Sequence, residues 1–103
     1  MILEVSISPL DKKSLSKYVA EVIRIFEEAG LNYELNPMGT VIEGEWDQIM
    51  PVIKKAHERL FELGVTRVST LIKIDDRRDK KVRKEDKVES VRRVLREMYS
   101  QEK

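Results

Sequence analysis

Glu43 is the residue whose type and place ask most of its surroundings. It ends a short run of strand-forming residues, Thr40-Val41-Ile42, just before Gly44, where an acidic side chain is disfavoured. A half-buried carboxylate needs a partner. Lys73 or Arg67 would supply one as an ion pair, and an amine on a bound small molecule would supply one as a hydrogen-bond donor. Met38 and Trp46 stand close by in sequence. Each offers apolar contact to an aromatic ring, although packing against a helix is the commoner task for both. His57 is the only histidine. It lies beside the apolar stripe of a helical stretch, where a structural or surface role is expected rather than catalysis or metal binding.

Other chemistries lack their residues. Cysteine is absent, which removes disulfides, thiolate catalysis and cysteine-based zinc sites and fits a reducing compartment. With one histidine and no cysteine, no nucleophile–base set assembles, and no catalytic residue is expected. Asp75, Asp76 and Asp79 cluster, but Arg77, Arg78, Lys80 and Lys81 are interleaved with them. An ion-paired turn is expected there rather than a cation site. No glycine-rich phosphate loop is present.

Charge is dense, with 38% of residues charged, yet the net is only +1. Such a balance carries no global footprint for nucleic acid or membrane. It is unevenly spread. From Asp76 onward there are eleven basic and seven acidic residues, so the rest of the chain is net acidic. The run Arg77 to Lys84 reads as a solvated linker, with contact to a ligand phosphate as the functional alternative. Apolar stretches are too short to span a bilayer, and Met1 to Val5 reads as a strand, without the basic start of a signal peptide. The expected compartment is cytoplasmic.

The elements that must position these groups follow from hydrophobic period. Leu3, Val5 and Ile7 alternate with polar residues as a strand stopped by Pro9. Asp11, Ser14 and Ser16 are candidate caps for a helix carrying Val19, Val22, Ile23, Phe26 and Ala29, which Gly30 ends. Leu31, Tyr33 and Leu35 alternate again. Asn36-Pro37-Met38-Gly39 is turn chemistry, and Thr40 to Glu43 is the second arm of a hairpin. Asp47 is a candidate cap for a second helix, with Pro51 in or near its first turn. Its stripe is Ile49, Val52, Ile53, Ala56, Leu60 and Leu63, and Gly64 ends it. Val68, Thr70, Ile72 and Ile74 alternate with Ser69, Leu71, Lys73 and Asp75. Asp86-Lys87-Val88-Glu89 resembles a capping box opening a last helix, with Val88, Val91, Leu95 and Met98 on one face.

The order βαββαβ plus one helix predicts an α+β fold. It is a ferredoxin-like sandwich with a four-stranded antiparallel sheet, occupying 1–103 as one domain with the basic linker and extra helix from about 76. Two helices cover one face of such a sheet. The other carries Glu4, Ser6, Ser8, Ser69, Leu71, Lys73 and Asp75. Whether Thr40 and Ile42 or Val41 and Glu43 join them is open, because a one-residue slip exchanges the faces. That face is a solvated surface, an assembly interface or a polar ligand pocket. RNA-recognition modules of this topology stack bases on aromatics, and Arg67 to Asp75 holds none.

Four stretches together resemble one family. They are Asn36-Pro37-Met38-Gly39-Thr40-Val41-Ile42-Glu43-Gly44, Ser16-Lys17-Tyr18-Val19-Ala20, Glu28-Ala29-Gly30-Leu31-Asn32-Tyr33, and Arg67 through Arg77. They are similar to the small thiamine-binding proteins, single-domain relatives of the tandem-domain proteins that bind thiamine and hydroxymethylpyrimidine. The resemblance implies non-catalytic binding of thiamine or a related aminopyrimidine as ligand, without a further cofactor or metal. It also implies homodimers joined through sheets and often paired into homotetramers. It places ligand contacts at Met38, Gly39, Thr40, Glu43, Asp75 and Arg77. Ser6 joins them because it points to the open face. A structural or regulatory homo-oligomer that uses this face only for assembly is the alternative. An enzyme of thiamine salvage would lack a nucleophile.

Overall fold

The computed structural model describes residues 1–101. The elements run β1 (Ile2–Pro9), α1 (Ser16–Glu28), β2 (Asn32–Asn36), β3 (Gly39–Glu43), α2 (Trp46–Glu62), β4 (Val68–Asp75) and α3 (Lys84–Gln101). The strands form one antiparallel sheet in the order β2-β3-β1-β4. This is the ferredoxin-like arrangement that the element order predicts.

Register decides which residues are core. Leu3 pairs with Ile42 on one side and Ile74 on the other, and Val5 pairs with Thr40 and Ile72. Directly paired residues share a face, so Thr40 and Ile42 go under the helices while Val41 and Glu43 go to the open face. The phase of β3, open from sequence, is settled by its partner. Under the helices Phe26, Ile42, Ile49, Ala56 and Leu60 are fully buried, joined by Leu3, Val5, Ile25 and Ile53.

Both covering helices end alike. Gly30 and Gly64 have φ of 71° and 94°, which favours glycine. Leu31 N–H then donates to Phe26 C=O, and Val65 N–H donates to Leu60 C=O, each at 3.1 Å. Leu31 and Val65 are buried. This is a Schellman ending with its hydrophobic contact, used twice.

Helix starts depart from expectation. Leu15, not Asp11, Ser14 or Ser16, caps α1, and no side chain caps it. Asp11 instead accepts hydrogen bonds from Thr66 N–H (3.0 Å) and Thr66 Oγ1 (2.6 Å), tying the two loops at that end of the sheet together. These bonds hold its carboxyl below the usual range. The residue before α2 is Glu45, so Asp47 lies in the first turn and Pro51 falls inside the helix rather than at its start. Helix α3 begins at Lys84, before the expected Asp86. Asp86 reaches back to accept from Arg83 N–H at 2.9 Å, which is one half of a capping box set three residues earlier.

Helix α3 buries no residue. The radius of gyration is 16.7 Å, against about 13 Å for a compact chain of this length. The difference is α3, which starts beside the sheet and leads away from it.

Candidate functional site: a strand-end cleft with a basic rim

Ile2 pairs with Glu43 across β3 and with Asp75 across β4. The two carboxylates therefore stand on the open face in one row, one strand to each side of Ile2 and about 10 Å apart at the backbone. They form the floor of a cleft of ≈ 1050 Å³, whose other wall is the chain between β4 and the second turn of α3. Arg77, Arg78, Lys80, Lys81 and Arg83 line that wall, with Lys87 behind them.

The wall is held by short-range ion pairs. Arg77 Nε and Nη2 donate to both carboxylate oxygens of Asp79, at 2.6 and 2.9 Å, and this fork takes the Asp79 carboxyl down to about 2. Arg78 Nη2 donates to Asp76 Oδ2 at 2.8 Å. Trp46 Nε1 donates to the same oxygen at 3.3 Å. Arg78 first, and Trp46 after it, hold Asp76 below the usual carboxylate range. Lys87 returns from α3 to donate to Asp75, lowering that carboxyl as well, with Arg77 adding to the effect. The expected ion-paired turn is present. All these partners are exposed, so the pairs fix local geometry more than they stabilise the fold. Among the described residues no group of three His, Cys, Asp or Glu is placed to hold a metal ion.

Glu43 pairs with neither Lys73 nor Arg67. Asn32 Nδ2, opposite it on β2, donates to its Oε2 at 2.8 Å. Lys84, whose side chain is 12% exposed, lies near enough to feel it. Its ammonium is raised first by Glu85, then by Glu34 and Glu43. Glu43 is thus half-buried with one amide donor, leaving acceptor capacity on a carboxylate that has two oxygens.

The other residues expected at the site lie elsewhere. Ser6 is on the open face opposite Leu71, four residues along β1 from Ile2, or about 13 Å. Met38 is 87% exposed at the hairpin turn, and Thr40 is 5% exposed in the core. With Gly39 they border a smaller, mainly apolar slot of ≈ 230 Å³ between α1 and the hairpin, floored by Phe26 and Val22. Gly39 has a structural reason of its own. A Cβ there would stand 3.3 Å from Val5 C=O and 3.2 Å from Glu4 Cγ, so the glycine permits the close approach of β3 to β1. The seven residues therefore divide. Glu43, Asp75 and Arg77 share the large cleft, while Ser6, Met38, Gly39 and Thr40 share the small slot.

Sequence reasoning missed Ile2, Val82, Asp86, Lys87 and Ser90 as lining residues. Only the pairing of β1 with both β3 and β4 brings Ile2 between the carboxylates, and only the return of α3 brings Lys87 to Asp75. His57 is placed as expected. Its Nδ1 is 2.6 Å from Thr70 Oγ1 and its ring meets Phe61 edge-on at 5.5 Å between centroids, on the helix-covered side of β4.

A family model described as thiamine-binding protein matches residues 3–92. The UPF0045 protein YqgV of Bacillus subtilis is 46% identical over 100 residues, covering 91% of this chain and 96% of its own length. A UPF0045 protein of Methanothermobacter thermautotrophicus is 42% identical over 95 residues, covering 89% and 96%. The crystal structure of a hypothetical protein of Methanocaldococcus jannaschii superposes with a TM-score of 0.81 at 43% identity, over 87% of this chain and 93% of that one. The match runs from the first strand into the last helix, through the floor and the wall of the cleft, and the chain belongs to the thiamine-binding protein family.

Proposed function

We propose that this protein binds thiamine or a related aminopyrimidine in the strand-end cleft, as a carrier, scavenger or sensor, and does no chemistry on it. The observation that carries the reading is the pair of carboxylates, Glu43 and Asp75, set one strand to each side of Ile2 on the floor of a cleft large enough for a vitamin-sized ligand. Small-molecule sites commonly enclose roughly 300–1,000 Å³. An aminopyrimidine presents an amine to a carboxylate oxygen such as that of Glu43, and a thiazolium ring carries a fixed positive charge that favours Asp75. Ile2 supplies apolar contact between them. The family supports the ligand class.

Binding without catalysis is supported by what the residues are committed to. The chain has no cysteine, and His57 faces Thr70 rather than the cleft. No helix among the described residues is long and apolar enough to cross a membrane, and we place the protein in the cytoplasm. Self-association into a homodimer or homotetramer belongs to the same reading. It is supported by α3, where Val91, Leu95 and Met98 are 68%, 44% and 55% exposed along one face. A helix of 18 residues without tertiary packing is marginal in water. That stripe also favours a second reading, a homo-oligomer whose open face serves only assembly. Titration calorimetry with thiamine and with hydroxymethylpyrimidine separates the two. Saturable binding supports the first, and no heat at millimolar ligand leaves only the second.

A further inference from the structure

The cleft is electrically two-ended. Its floor is acidic, with Glu43 and Glu45 free of ion pairs among the described residues and Asp75 in an exposed pair with Lys87, and its outer wall is basic, with Arg77, Arg78, Lys80, Lys81 and Arg83 within seven residues. The arginines of the wall are satisfied by exposed neighbours: Arg77 by Asp79, Arg78 by Asp76 and Arg83 by Glu85. Lys80 and Lys81 enter no ion pair among the described residues. Exposed pairs of this kind are weak. A group with two or more negative charges and several acceptor oxygens outcompetes a single carboxylate for such donors. An anion cannot rest on the floor, where the carboxylates repel it, and a cation gains nothing at the wall.

From this arrangement we propose that the cleft takes the phosphorylated form of its ligand. That form is a cationic heteroaromatic ring carrying a phosphate or diphosphate tail, with the ring over Glu43 and Asp75 and the tail against Lys80, Lys81 and the neighbouring arginines. The proposal rests on the binding reading above and specifies its ligand class. A neutral or purely cationic molecule leaves the wall unused, and a purely anionic one meets the wrong charge at the floor. The linker between β4 and α3 is then half of the site rather than a connection, and its interleaved Asp76 and Asp79 hold the arginine forks in place until a phosphate arrives.

The test is a titration of the full chain with thiamine, thiamine diphosphate and inorganic pyrophosphate, at about 50 mM and about 500 mM salt, repeated on the variant K80S/K81S. Both lysines are exposed and outside regular structure, so the variant keeps the fold, which circular dichroism checks. The expected result is thiamine diphosphate binding at least about tenfold tighter than thiamine at low salt. Most of that advantage disappears at high salt and in the variant, while thiamine itself is unaffected. Equal affinity for thiamine and its diphosphate overturns the proposal and leaves the binding reading standing. Retention of the full preference in K80S/K81S overturns the assignment of the wall. Pyrophosphate binding as tightly as thiamine diphosphate overturns the two-ended ligand. Absence of binding by both thiamine compounds overturns the binding reading and this proposal with it.

Discussion

Between Leu3 and Val65 thirteen hydrophobic side chains are buried, and between Asp76 and Gln101 none is. The first region is held by apolar contact between two helices and a sheet, with both helix ends sealed by the same glycine turn. The second is held by exposed carboxylate–arginine and carboxylate–lysine pairs and by a helix that buries no residue and leaves its apolar face exposed. The contrast separates two tasks. The βαββαβ body supplies stability and a rigid floor on which Glu43 and Asp75 are fixed by strand register. The segment after β4 supplies a charged wall and an uncovered stripe, and contributes little to folding. A chain can vary the second without losing the first.

A change in the body has the greatest consequence for stability. Phe26 is fully buried, and F26A is expected to destabilise the fold by about 3–5 kcal/mol, read as a lower urea midpoint. The matching change in the second region, V91S/L95S/M98S, is expected to move the body's stability by no more than about 0.5 kcal/mol at low protein concentration. Sedimentation is expected to show the same variant shifting toward monomer. A loss of several kcal/mol from the α3 variant would mean that α3 belongs to the core.

A second pair of changes acts on the floor. E43Q and D75N each keep the side-chain shape and remove the charge, and each is expected to weaken thiamine binding roughly tenfold with the melting temperature unchanged. T40V, in the core under the helices, is expected to leave binding unchanged. A T40V loss as large as that of E43Q would move the ligand to the slot between α1 and the hairpin.

A pH response at the wall is weaker still. Asp76 is held below its ordinary value of 3.8 by Arg78 and Trp46, and Asp79 is taken from 3.8 to about 2 by Arg77. In a group whose folded value is depressed, the stabilisation is present above the unfolded value and lost as pH falls through the folded one. The wall is therefore intact above about pH 4 and loosens as the pH falls toward 2. Trp46 is the only tryptophan and donates to Asp76, so its emission reports the change. Emission is expected to shift as the pH falls below about 4, before the far-ultraviolet circular dichroism of the body does. Simultaneous change of both signals would tie the wall to the body.

Much of the body was legible because burial has a period. Leu3, Val5 and Ile7 alternate, Ile49, Ile53, Ala56 and Leu60 recur at helical spacing, and Gly30 and Gly64 mark two helix ends. The phase of β3 was not legible. Thr40 with Ile42 and Val41 with Glu43 each pair one apolar with one polar residue, and only the Leu3–Ile42 pairing decides between them. The helix starts are not legible in the same way, because polar residues near a helix have other partners available: Asp11 bonds to Thr66, 55 positions away. At the site, Glu43 was legible as an acidic residue out of place in a strand. The cleft was not, because its second wall depends on how an irregular basic segment turns back toward Ile2, and charge pattern alone carries no direction.

The proposed ligand site stands or falls with Glu43 and Asp75 on the floor of the strand-end cleft. Calorimetric titration of thiamine into the wild-type protein and into E43Q/D75N tests it most directly. The expected result is saturable binding, one ligand per chain, that the double variant abolishes while its thermal unfolding stays where it was. Binding of equal affinity in the double variant would contradict it, as would a wild-type protein that evolves no heat and shows no thermal shift at millimolar thiamine.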